Sequence, residues 1–267
     1  MQTLSLSIQN HIAVLAINRP DKMNALNQTA WDEIEAVFED LDENPDVRVV
    51  VLTGGESKHF CAGIDLSLLM SVAQDAACEG RKREQIRKSV LKLQAPINAI
   101  ENCSKPVLAA VHGGCIGGGI DLICGCDMRY CTQDTYFTIK EIDMGMVADL
   151  GTLQRLPKLI HAGIVREMAY TGRNVLGDEA EKIGLVNRAF ADKESMLIEV
   201  MKIAETIAQK SPLSIRGTKH ILNHTRDHSV ADGLNYIATW NAAMLLSADL
   251  SEAFEAKMTK RNATFKD

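Results

Sequence analysis

"KPVLAAVHGGCIGGGIDL" (residues 105–122) opens with a short apolar run and closes in a cluster of glycines. Such a run, bounded by Pro106 and glycine, predicts a strand buried on both faces. The glycines predict a turn at the strand's C-terminal end, where ligands of open α/β sheets bind. The same grammar occurs earlier in the chain, where "VRVVVLTG" (47–54) is followed by "HFCAGIDL" (59–66). A helical segment from about 80 to 102 separates the two strands. Strand, helix and strand in alternation predict an α/β layer with a largely parallel sheet.

Working outward, "TLSLSIQNHIAVLAIN" (3–18) holds two alternating runs broken at Gln9-Asn10, which predicts a hairpin at the start of the sheet. Trp31, Ile34, Val37, Phe38 and Leu41 recur at helical spacing before Pro45. After the glycine stretch, "DMRYCT" and "YFTI" predict two more short strands. From about residue 192 the pattern is helical through "DKESMLIEVMKIAETIAQK", "PLSIRGTKHILNHT", "VADGLNYIATWNAAMLLSA" and "DLSEAFEAKM". A soft boundary near 200 divides a core of residues 1–200 from a helical region of 201–267. The broad apolar faces of these helices predict burial between subunits.

The chain has 267 residues, is 46% hydrophobic and carries a net charge of −6. That length supports one sizeable core, and the acidic balance argues against nucleic acid as a main partner. The one basic run, "RKREQIRK" (81–88), reads as a solvated helix face, with a role beside a phosphorylated ligand as the alternative. No run of 18 apolar residues occurs, so no membrane partner is expected, and the N-terminus does not read as a signal peptide. Seven cysteines without metal-ligand spacing fit a reducing cytoplasm.

Glycine permits backbone conformations and close approaches that a side chain blocks. Free amides in two such loops can face an oxyanion, and the candidate donors are Ile64 N–H and Gly118 N–H. The competing nucleotide loops fail, because glycines 113, 114, 117, 118 and 119 fit neither the dinucleotide nor the P-loop spacing. A purely structural role for these glycines, as tight turns and packing contacts, fits the spacing as well. Downstream, "KEIDMGMVAD" (140–149) sets Glu141, Asp143 and Asp149 among apolar neighbours. Asp143 reads as a solvated loop acid. Gly145 makes an uninterrupted helix between the other two acids unfavourable, so a turn can bring them to one pocket.

"NRPDKMNAL" (18–26), "HFCAGIDL", "KPVLAAVHGGCIGGGIDL" and the acid-bearing segment, in this order, resemble the enoyl-CoA hydratase/isomerase (crotonase) superfamily across roughly residues 1–265. The stretch from Gly117 to Lys158 most resembles the Δ3,5-Δ2,4-dienoyl-CoA isomerases. The resemblance implies an α/β fold with a spiral ββα core, a C-terminal helical trimerisation region and a hexamer of two trimers. It also implies an enzyme of fatty acid β-oxidation acting on an acyl-CoA thioester, with no cofactor beyond the coenzyme A of the substrate. The thioester oxygen would lie between the amides of Ile64 and Gly118. Cys61, Ala62, Gly63, Ile64, Asp65 and Gly119 form the expected substrate-binding set, and no metal is expected.

Hydratases of the superfamily carry glutamates at the positions of Asp121 and Glu141 and typically a small residue at that of Asp149. The shorter Asp121 retreats by about one C–C bond, roughly 1.5 Å, which weakens a shared grip on water. The third acid points toward moving protons. By resemblance, Asp149 is the base at C2, Glu141 the acid at C6, and Asp121 a neighbour that tunes Glu141; the sequence leaves the reverse assignment open. Burial among Met144, Met146 and Val147 and the charge of Asp121 would keep Glu141 protonated. Two rivals remain: a hydratase using Asp121 and Glu141, and a silent homologue that binds acyl-CoA or RNA. Pocket walls from about 66 to 100 would set acyl length.

Other residues read as structural. His220, His224 and His228 recur every four residues but lack a carboxylate or thiol to complete a metal site. Cys124 and Cys126 read as small packing residues. His59 and His112 keep a thiol alternative open for Cys61 and Cys115. Arg19 and Lys22 are candidates for coenzyme A phosphates.

Overall fold

The computed structural model describes residues 1–71 and 78–267; the side chains at 69–71 are not described. The expected hairpin is β1 (Leu4–Gln9) and β2 (Ile12–Ile17), and Asn10 and His11 adopt positive φ to close it. Asn27 caps α1 (Gln28–Glu43) by accepting from the Ala30 amide at 3.0 Å, and the predicted apolar stripe from Trp31 to Leu41 is buried. β3 (Val49–Thr53) follows, then α2 (Leu66–Ser71), α3 (Glu79–Asn102), β4 (Val107–Val111) and β5 (Gly114–Ile116). The chain continues through α4 (Gly118–Gly125), β6 (Met128–Thr132), β7 (Tyr136–Thr138), α5 (Thr152–Leu159) and α6 (Ala162–Thr171). β8 (Val175–Leu176), α7 (Gly177–Lys182) and β9 (Arg188–Phe190) complete the sheets. The last helices are α8 (Lys193–Ala208), α9 (Pro212–Arg226), α10 (Val230–Met244) and α11 (Ala248–Met258).

A six-stranded sheet has the order β1-β2-β3-β4-β6-β9, parallel except for the first hairpin. A three-stranded sheet has the order β5-β7-β8. The chain climbs as a spiral, since β4 of the large sheet leads to β5 of the small one and β6 leads to β7. Bridges between Leu26 and Ile64 and between Cys61 and Cys115 extend the small-sheet side by two further turns. Every residue of β3 and β4 is buried, as a strand covered on both faces requires. Alternate residues face two cores: Val50, Leu52, Ala109 and Val111 join the main one, while Val49, Val51, Leu108 and Ala110 meet Met196, Val200 and Ala204 of α8.

The boundary expected between 200 and 201 falls inside α8, because Val200, Ala204 and Ala208 all pack on the large sheet. The last three helices begin at Pro212. The loop expected over 111–122 is likewise mostly regular, consisting of β5 and the first half of α4. Glycine density hid a helix whose first turn stays within α-helical space.

Candidate active site

Register on the small-sheet side fixes where the site forms. Cys61 bridges Cys115, and Cys115 pairs with Phe137. Three residues beyond the first two stand Ile64 and Gly118, and four beyond Phe137 stands Glu141. One corner of three successive turns therefore gathers residues distant in sequence. Backbone bonds hold the stack: Ile116 N donates to Cys61 O at 3.0 Å, Leu26 N to Gly63 O at 2.8 Å and Gly117 N to Thr138 O at 3.0 Å. Gly117 takes φ +49°, a left-handed backbone that favours glycine, and a Cβ there would lie 2.9 Å from the movable Glu141 Oε1.

The amides of Ile64 and Gly118 border one space. A methyl group built on Gly118 would lie 3.5 Å from Ile64 N, and one on Gly63 would lie 3.6 Å from Gly118 N. Neither amide donates to an acceptor among the described residues. Gly118 opens α4, so its unpaired N–H carries the partial positive charge of a helix start.

The three acids are neighbours. Asp121 is 1% exposed, and Thr152 donates to its Oδ1 through both backbone N and Oγ1 at 2.7 Å each. Burial pushes the Asp121 carboxyl up to about 7, the Thr152 hydroxyl opposes the rise, and the nearby charges of Glu141 and Asp149 add to it. Glu141 is half-buried in a 3₁₀ turn (Glu141–Met144) ended by left-handed Gly145, and its Oε2 has no partner. Its carboxyl is also raised, first by burial and then by the charge of Asp149. Asp149 is solvent-accessible by surface area, yet desolvation raises its carboxyl as well. The two observations agree if this acid stands at the mouth of the site, with enough protein around it to disfavour its charge. Gln94 Nε2 donates to Asp149 O at 2.6 Å and fixes that segment's backbone. Asp143, as expected, is an exposed acid and pairs with Lys140 at 2.8 Å.

Part of the expected substrate-binding set has other employment. A methyl on Gly119 would lie 3.0 Å from Cys61 Cβ and 3.3 Å from Cys115 Sγ, so Gly119 and Cys61 pack α4 against the bridge. The Asp65 carboxylate accepts from Arg19 at 3.2 Å and from Ser67 N and Oγ at the start of α2. Arg19 is thereby committed to Asp65 and to Ala25 O, which removes it from the phosphate candidates. Lys22 is exposed. Gly63 and Ile64 remain as backbone at the site, beside a half-buried Ala62.

The thiol alternative has the wrong electrostatics. Burial pushes Cys61 up to about 12 and Cys115 well above the usual thiol range. His59 Nδ1 accepts from Gly114 N at 2.9 Å, and His112 Nε2 bonds Ser57 O at 2.8 Å. His220 bonds Tyr236, while the His224 and His228 rings stack at 3.8 Å. Among the described residues no group of three or more His, Cys, Asp or Glu side chains could hold a metal ion. Of the expected chain-length wall, residues 72–77 lie outside the described residues.

Sequence reading missed three contributors. Thr152 grips Asp121 across 31 positions. Asn24 is fully buried, and its Nδ2 donates to Gly54 O, His59 O and Phe60 O at 2.9 to 3.1 Å, which anchors the loop leading to Ile64. A cavity beside Glu141, between the 3₁₀ turn, α5 and α6, is the third. Only Asn24 left a signal, as a polar residue inside the motif at 18–26.

Residues 7–267 match the family described as enoyl-CoA hydratase/isomerase. The chain is 49% identical to the "Delta(3,5)-Delta(2,4)-dienoyl-CoA isomerase, peroxisomal" of Arabidopsis thaliana, over 94% of this chain and 91% of that one. It is 45% identical to the mitochondrial protein of that name in Mus musculus, over 96% and 79%. A crystal structure of enoyl-CoA hydratase from Bacillus anthracis superposes with a TM-score of 0.91 at 28% identity, covering 99% of both chains.

Proposed function

From the premise that this chain belongs to the enoyl-CoA hydratase/isomerase family, we propose that it isomerises 3,5-dienoyl-CoA to 2,4-dienoyl-CoA in fatty acid β-oxidation. The isomerase relatives at 45% and 49% identity support that activity over hydration. The observation that carries the residue roles is three acids in mutual range beside two unbonded amides.

The C2 hydrogens of the substrate lie between a carbonyl and an alkene. Asp149 takes one of them. The C–H electrons form a C1=C2 bond, and the carbonyl pair moves onto the thioester oxygen, where the amides of Ile64 and Gly118 stabilise the charge. Protonation at C6 by Glu141 then returns the oxygen's pair to C1=O and shifts the alkenes to C2=C3 and C4=C5. C2 and C6 are too far apart for one fixed carboxylate, and two acids eight residues apart on the connection from β7 to α5 solve this. Between turnovers an accessible Asp149 can release its proton to water, and Glu141 takes one up, which restores the starting protonation states. Burial and the charge of Asp149 favour the protonated form of Glu141, and Asp121, held by Thr152 and itself raised by burial, does not supply the neighbouring charge expected of it. Proton transfer of this kind needs no metal or redox cofactor, and coenzyme A enters as part of the substrate.

Assembly and location belong to the same proposal. Leu234, Leu245, Leu246, Phe254 and Met258 on or beside α10 and α11 are exposed in the single chain, which supports burial against further copies, as in a homohexamer of two trimers. Seven unpaired cysteines support a reducing compartment such as cytoplasm, and no helix among the described residues is long and apolar enough to cross a membrane.

The test follows the ultraviolet band of the conjugated product from 3,5-octadienoyl-CoA. Asp149→Asn and Glu141→Gln should each lower kcat by at least about 100-fold. Equal rates in all three proteins would remove the two-acid mechanism. Water addition to crotonyl-CoA that survives Asp149→Ala would favour the hydratase instead.

A further inference from the structure

We propose that Arg155, fixed by Asn98 and Glu101 of α3, is the positioning residue for Asp149, its guanidinium pinning the backbone that aims this carboxylate at C2. This rests on the role of Asp149 as the base and adds what holds it in place.

Asp149 stands on a segment with a glycine at either end. Gly145 and Gly151 take φ +69° and +135°, and glycine restrains a backbone less than any other residue. Leu150 joins the main core on one side. On the other side lies a polar cavity of about 360 Å³, which Leu150 and Gly151 line together with Gln94, Asn98, Glu101 and Arg155. Apolar packing cannot fix the segment from that side, so hydrogen bonds must.

Gln94, Asn98 and Glu101 recur at helical spacing and share one face of α3. Gln94 Nε2 holds Asp149 O at 2.6 Å. Asn98 Oδ1 accepts from Arg155 Nη2 at 2.7 Å, while Glu101 Oε2 accepts from Nη2 at 2.7 Å and from Nε at 3.1 Å. Arg155 lies one helical turn beyond Gly151, and its guanidinium folds back over that glycine, where a Cβ would collide with Nη1. Three bonds leave the guanidinium little room to yield, so it blocks rotation at Gly151. The Arg155 and Glu101 side chains are 13% and 15% exposed. Water screens such a pair weakly, and the planar fork fixes direction as well as distance. Because Glu101 matches its charge, Arg155 acts on Asp149 through place. Glu101 also has a second arm. Its Oε1 accepts from Arg226 of α9, and its backbone oxygen accepts from Asn223 at 3.2 Å. Arg226 ties α9 to α3 and serves as a control for loss of the ion-pair network itself.

Hydrogen–deuterium exchange read by mass spectrometry reports the backbone of residues 149–152 without turnover, and steady-state rates on 3,5-octadienoyl-CoA report the base. Arg155→Gln should speed amide exchange over 149–152 by at least about tenfold and leave the Glu141 turn unchanged. Its kcat should fall about 10- to 100-fold with KM within about threefold, since a misplaced base costs rate more than binding. Asn98→Ala, a milder change in case the first variant does not fold, should act in the same direction with a loss of about three- to tenfold. Arg226→Gln should lower the melting temperature without either effect. Exchange over 149–152 that stays at the wild-type level in Arg155→Gln and Asn98→Ala overturns the proposal, as does an increase spread evenly over the chain, an unaltered kcat beside faster exchange, or an equal kcat loss in Arg226→Gln. Faster exchange confined to 149–152, in a protein whose wild type isomerises nothing, would sink the activity and leave the positioning standing.

Discussion

Asp121 shows what burial does to one carboxylate. Its pKa stands at about 7 in the folded chain, against about 3.8 for an unburdened aspartate. Below pH 4 it is protonated folded or unfolded and costs nothing. Between pH 4 and 7 the unfolded chain releases the proton while the folded chain keeps it, so this residue's contribution to stability falls as pH rises and is most unfavourable above 7. Three units correspond to about 4 kcal/mol, which is an upper figure. Asp121→Asn keeps an oxygen for the two Thr152 donors and removes the titration. Denaturant unfolding should find the variant more stable than wild type at pH 8 by about 2 to 4 kcal/mol, with the gap closed at pH 4; a gap independent of pH would show that the charge is not the cause. At this scale the three acids were legible, because carboxylates among apolar neighbours are conspicuous. Thr152, an ordinary threonine in sequence, was not, and neither was the Arg19–Asp65 pair, which closes across 46 positions.

The elements that announced themselves are those whose apolar pattern is complete within the segment: the first hairpin, α1, β3, β4 and α8. α5 and α7 did not, being eight and six residues long, the first with Pro157 inside it. β5 and β8 are briefer still, at three and two residues, and gain their strand character only by pairing with β7. The loop between β3 and α2 owes its shape to Asn24, which inserts from the preceding turn at φ +57°. Asn24→Asp replaces a donor aimed at three carbonyls by an acceptor, so it should destabilise the protein by about 3 kcal/mol and misplace Ile64. Thermal unfolding measures the first effect. The second would appear as weakened affinity for an acyl-CoA, and a variant with unchanged melting and affinity would remove Asn24 from this role.

For the whole molecule, the fold class was readable from alternation, and the helical end from periodicity. The spiral was readable only through the family resemblance, because its repeat lies in backbone register and leaves no recurring sequence. The exposed apolar residues of α10 and α11 belong to this scale too, since a monomer would leave them wet. Leu246 is 94% exposed. Leu246→Glu combined with Phe254→Glu should shift the protein to smaller species in light scattering after size exclusion, while each folded subunit keeps its far-ultraviolet dichroism. A wild-type protein that runs as a monomer would dismiss the hexamer.

The corner where three turns stack divides labour in a way that bears on how such a catalyst can change. The proposed anion cradle is main chain, indifferent to which side chains surround it beyond the need for glycine. The proposed proton carriers are replaceable attachments on the same frame, Asp121 entering from α4 and Glu141 and Asp149 from the connection between β7 and α5. A lineage or an engineer can therefore exchange the carriers at 121, 141 and 149 one at a time and reach new transformations of activated thioesters, while the part that makes them reactive is inherited intact.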